Sequence, residues 1–158
     1  MNATDLKSSF VVGQDLGVTP WQVIEQGAMT EFETLTLSND PLHTDPEWVR
    51  QHTTYPNTIV PGLLTLSLLP YFFSQLDVTP AGHHALNYGF DRVRWTSPVP
   101  VGSHLRAHFV CGDARERSRH RPGVIVRFDV TVQIRGQETP AMVAQWLGAI
   151  VPDSTGAG

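Results

Sequence analysis

"GLLTLSLLPYFFSQL", residues 62–76, is the stretch that decides the fold. Apolar side chains fall on nearly every side of its helical wheel. That pattern predicts a long helix buried by surrounding structure, not a surface helix with one apolar stripe. At ~1.5 Å per residue the run reaches roughly 22 Å, short of a ~30 Å bilayer core, so it is not a membrane span. Pro70 has no amide hydrogen and is expected to kink the helix. Tyr71, Phe72 and Phe73 read as core rather than as a cofactor box.

What buries this helix follows it in the chain. "ALNYGFDRVRW", "SHLRAHFVC", "GVIVRFDVTVQI" and "AMVAQWLGAIV" alternate or are rich in β-branched residues, and turns such as "SPVPVG" and "IRGQETP" separate them. One buried helix and consecutive antiparallel strands give an α+β architecture, a sheet wrapped around a long central helix. Upstream, "SFVVGQDLG" reads as a short strand and "WQVIEQ" as an irregular entry. Thr30 is placed to cap a brief helix over "EFETL", with Glu31 and Glu33 in its first turn. Asp45 is a good N-cap for "PEWVRQH", with Pro46 at the first helical position.

The 158 residues suit a single domain, expected over 1–151 with a tail at 152–158. A net charge of −4 argues against nucleic-acid binding, which needs a basic face. The single cysteine, Cys111, cannot form an internal disulfide, and the first residues lack the apolar core of a secretory signal. A cytoplasmic protein is the expectation.

Three places could carry chemistry. In "LSNDPLHTDPEWV", Ser38, Asp40 and His43 lie close together; a carboxylate and an imidazole can share a water, or the stretch can simply cap a helix. Gly62 opens the buried helix, where a free N–H can meet an anion or oxyanion, or where a tight turn follows Pro61. "RERSRHR", residues 115–121, reads as a hairpin loop, either solvated or a docking surface for phosphates or an acidic carrier. His104 and His108 share the polar face of a strand with Arg106, with no carboxylate or cysteine beside them in sequence, so no metal site is expected. No nucleotide-binding or zinc motif occurs and no cofactor is expected.

Together the segments resemble the MaoC-like acyl dehydratase family, in its nodulation-protein-N-like branch. The resemblance runs over about residues 13–147, through "LGVTPWQVIEQGAMTEF", "PLHTDPEWV", "IVPGLLTLSLLP", "LNYGFDRVRWTSPVPVGSHLRA" and "TPAMVAQWL". It implies a single hotdog domain, normally paired as a homodimer, and a lyase that adds water to an enoyl thioester of coenzyme A or acyl carrier protein, or removes it from the 3-hydroxyacyl form. It further implies that a family Asp and a His five residues later hold the water, while the amide of the helix-opening glycine holds the thioester oxygen. The His falls on His43 and the glycine on Gly62. The Asp falls on Ser38, which leaves Asp40 as the nearby carboxylate, with Ser38 orienting the water. Pro61 stands where the family commonly has His. Pro61, Leu63 and Tyr88 are the expected substrate contacts, with Arg115 and Arg117 at the phosphopantetheine entrance. An altered acid–base pair also suits a cyclase or isomerase acting on an activated acyl chain, or a non-catalytic acyl-binding subunit.

Overall fold

The computed structural model describes residues 3–118 and 121–153. Arg119 and His120 of the expected basic loop, and residues 154–158 of the expected tail, lie outside the described residues. The elements, in chain order, are α1 (Ala3–Ser8), β1 (Asp15–Val18), β2 (Gln22–Val23), α2 (Gln26–Thr36), α3 (Pro41–Thr44), α4 (Pro46–His52), α5 (Gly62–Ser67), α6 (Leu69–Ser74), β3 (His83–Trp95), β4 (His104–Glu116), β5 (Val124–Ile134) and β6 (Met142–Pro152).

The strands form one antiparallel sheet in the order β1-β4-β5-β6-β3, with β2 also pairing β4. Alternation decides which face is inside: along β4, Leu105, Ala107 and Phe109 are fully buried while His104, Arg106 and His108 face outward. The inward face meets α5 and α6 in an aromatic cluster. Phe73 packs against Phe128 at 4.8 Å between ring centroids and against Trp146 at 5.4 Å, the latter edge-on. The Trp146 indole donates to Asn87 Oδ1, so its one polar atom is satisfied where it is buried.

The four long strands lie where the alternating and β-branched runs predict. The central helix does not run unbroken. It is two six-residue helices, α5 and α6, joined at Leu68, with Pro70 in the first turn of α6. Pro70 cannot donate to the Leu66 carbonyl, so the break falls just before it. Nor is the segment enclosed on all sides. Leu64, Thr65, Leu69, Phe72 and Phe73 are buried against the sheet, whereas Leu63 is 61% and Tyr71 43% exposed in the single chain.

Three smaller expectations change. The first strand begins only at Asp15, and α1 precedes it, with Leu6 and Phe10 buried in the core. Thr30 does not cap a helix; α2 starts at Gln26, and the Thr30 hydroxyl donates back to the Gln26 carbonyl. Glu33 therefore sits in the later turns of α2 rather than the first. The β1–β4 pairing also gives His108 a carboxylate neighbour that sequence distance had hidden: its Nε2 lies 3.0 Å from Asp15 Oδ1. That bond holds the Asp15 carboxyl below the usual carboxylate range. Among the described residues no group of three possible metal ligands forms, and no helix is long and apolar enough to cross a membrane. At the C-terminus, β6 pairs through Pro152 and the Asp153 N–H donates to the Gly82 carbonyl, so ordered pairing passes the expected boundary at 151.

Candidate active site

Two Asp-Pro pairs place His43. Asp40 Oδ1 accepts the Leu42 N–H at 2.9 Å, with Pro41 opening α3; Asp45 Oδ1 accepts the Glu47 and Trp48 N–H groups, with Pro46 opening α4. Each carboxylate satisfies helix-end donors that nothing else would meet, an arrangement worth ~1 kcal/mol per cap. His43 is in the last turn of the short helix that Asp40 starts.

The turn before it has an unusual backbone. Leu37 and Asn39 are both left-handed, at φ 59° and 52°. Glu33, 2% exposed, holds this turn in place: its Oε2 accepts the Asp40 N–H at 3.0 Å, and its carbonyl accepts the Ser38 N–H at 3.1 Å. Ser38 itself is exposed.

The His43 ring is fixed from the other side of the site. Nδ1 lies 2.7 Å from the Ile59 carbonyl. A carbonyl can only accept, so a proton is on Nδ1; in that tautomer Nε2 carries the lone pair, and it meets no partner among the described residues. The backbone is held as well, because the Gln26 side chain donates to the His43 carbonyl and in turn accepts the Thr58 hydroxyl.

Gly62 arrives by a different route. Ile59 bridges Pro100, and the Val60 N–H donates to the Val99 carbonyl, so this segment is laid along the loop before β4. The Pro61 carbonyl accepts the Thr65 N–H at 3.2 Å, pointing into α5. In a trans peptide the Gly62 N–H then points the opposite way, out of the helix, and among the described residues it meets no acceptor. Glycine is required here for a reason invisible in the sequence. A Cβ would stand 2.8 Å from Trp95 Nε1, because the indole lies on the Gly62 Cα and donates to the Gly62 carbonyl.

His43 and Gly62 line one cavity of about 340 Å³, together with Thr65, Trp95 and the apolar Ile59, Val60, Pro98 and Val99. Asp40 and Ser38 do not line it, and neither do Pro61 and Leu63. Tyr88, Arg115 and Arg117 come together elsewhere, in a cleft of about 270 Å³ that shares no lining residue with the first. Glu116 also lines that cleft. Tyr88 sits at a bulge in β3, and Arg117 donates to the Pro122 carbonyl within the β4–β5 hairpin loop. Gln26, Glu33, Thr65 and Trp95 are the site residues that sequence reasoning missed. Only Trp95 carried a signal, as part of the "NYGFDRVRW" block.

A family model, MaoC like domain, matches residues 7–134. The chain is 36% identical over 141 residues to nodulation protein N of Rhizobium meliloti, covering 88% of this chain and 86% of that one. It is 32% identical over 133 residues to 3-hydroxyacyl-thioester dehydratase Z of Mycobacterium tuberculosis, covering 84% and 86%. The solved (R)-hydratase of A. caviae, involved in PHA biosynthesis, superposes with a TM-score of 0.71 at 23% identity, over 91% of this chain and 98% of that one. The shared architecture is the hotdog fold.

Proposed function

The chain belongs to the MaoC-like domain family, and from that premise we propose that it is a lyase adding water to an enoyl thioester, or removing it from a 3-hydroxyacyl thioester, with His43 as its acid–base group. The observation that carries the reading is the His43 ring, held with Nε2 free, in the same cavity as the unpaired Gly62 N–H. Nε2 takes a proton from water as the oxygen bonds to C3. The C2–C3 π electrons move toward the thioester oxygen, where the Gly62 N–H donates to the developing charge. The imidazolium then returns its proton to C2, which restores the neutral ring and completes the addition of H and OH. One imidazole thus both takes and gives the proton, and no carboxylate is needed in the cavity. The carrier is coenzyme A or an acyl carrier protein.

The test follows hydration of short enoyl thioesters by loss of their conjugated absorbance. Wild type is expected to turn over, and Asp40→Asn to keep wild-type kcat and thermal stability, because asparagine caps a helix as well as aspartate does. A folded but inactive Asp40→Asn would return the acid–base role to that carboxylate. A wild type that binds acyl thioesters without hydrating any would point to the cyclase, isomerase or acyl-binding alternatives.

We also infer that the working form is a homodimer paired through β3. This strand is one edge of the sheet, and it leaves Leu86 47%, Tyr88 56% and Trp95 47% exposed in one chain. A long edge strand with exposed apolar side chains such as these invites pairing. Sedimentation should return about twice the 17.5 kDa chain mass, and a monomer at micromolar concentration would overturn the inference.

A further inference from the structure

We propose that Thr65 is a catalytic residue: its hydroxyl binds the oxygen that enters as water and leaves, in the reverse direction, as the 3-hydroxyl. The proposal rests on the hydratase reading of the same cavity. Thr65 lines that cavity, is 1% exposed, and its Oγ1 is the buried side-chain polar atom that finds no partner among the described residues. The isolation is not the ordinary state of a helical threonine in this protein. Thr30, Thr34, Thr36, Thr44 and Thr53 each donate to the carbonyl four residues back, at 2.8–3.0 Å. For Thr65 that carbonyl is Pro61, which accepts the Thr65 N–H but not its hydroxyl.

The other hydroxyls of the cavity are engaged. Thr96 donates to the Pro140 carbonyl and Ser97 faces Gln137 Oε1 at 3.5 Å. A buried hydroxyl without a partner is unfavourable unless a ligand supplies one, and hydroxyl chemistry suits a ligand oxygen that both donates and accepts. In hydration, water gives one proton to His43 Nε2 and bonds to C3. Its remaining O–H points to Thr65 Oγ1, so the oxygen is held at two points while the C3–O bond forms. In dehydration the same contact falls on the substrate 3-hydroxyl. Neither enoyl nor saturated acyl chains have an oxygen there.

That asymmetry gives the experiment. Thr65→Val keeps the shape and removes the hydroxyl; Thr65→Ser restores it. With short-chain coenzyme A thioesters, Thr65→Val is expected to lower kcat for hydration about tenfold or more with KM for the enoyl substrate little changed. Its affinity should fall for the 3-hydroxyacyl thioester but not for the saturated acyl thioester, and Thr65→Ser should recover both. Thermal melting, expected at or above wild type for the valine variant, separates these effects from unfolding; should that variant fail to fold, Thr65→Ala against Thr65→Ser reads the same contrast. A wild type that hydrates nothing overturns the proposed function and this inference with it. A hydrating wild type whose valine variant keeps kcat and the ratio of the two affinities overturns the inference alone.

Discussion

His43→Ala is expected to reduce kcat/KM for enoyl-thioester hydration by about 10²–10⁴-fold, the range that removing a positioned acid–base group produces. Alanine also leaves the Ile59 carbonyl without its 2.7 Å donor, so a shift of the segment that leads into Gly62 would add to the loss. His43→Asn separates the two effects. Its amide N–H₂ can take the place of Nδ1–H and keep the bond to Ile59, while nothing replaces Nε2. The asparagine variant should therefore melt near wild type and be as inactive as alanine. Activity of both variants within threefold of wild type would remove His43 from the chemistry.

Gly62→Ala should damage the site through Trp95. The new Cβ would meet the indole at 2.8–3.0 Å, so the ring must move and give up its bond to the Gly62 carbonyl. Overpacking of this kind costs about 1–3 kcal/mol. Disturbing the donor to the developing oxyanion costs ~10²–10³ in kcat. A double-mutant cycle with Trp95→Ala identifies the cause. If the indole is the obstacle, the double variant will be less destabilised than the two single changes summed, by more than the ~0.5 kcal/mol scatter of independent sites. Additive melting shifts would mean that the glycine is needed for some other reason.

How far the sequence could be read differs between sheet and site. The strands β4 to β6 were legible because alternation with a period of two reports directly which face is buried. Asp45 was legible as a cap because Asp-Pro before an apolar run is a local signal. The same dipeptide at Asp40-Pro41 carries the same meaning, which the sequence left open beside a role in handling water. Pro70 marked the break in the central helix correctly, but not that the segment would become two short helices. The exposure of Leu63 and Tyr71 was not legible, since apolar character all round a helix does not say how many sides its own chain covers.

Local patterning by itself determined the α+β class, the four long strands, the Asp45 cap and the candidacy of His43 and Gly62, because each is written in residues a few positions apart. Only the tertiary structure decided which of those candidates share a cavity. It kept Ser38 and Asp40 out of the lining of the cavity that holds His43, set Trp95 on Gly62 across 33 residues, and left Thr65 buried with no partner among the described residues. The physical reason is that hydrogen bonds such as Nδ1 of His43 to Ile59 join groups distant in sequence. Their lengths and directions are fixed by the packing of sheet against helix, and no short window of sequence contains both ends.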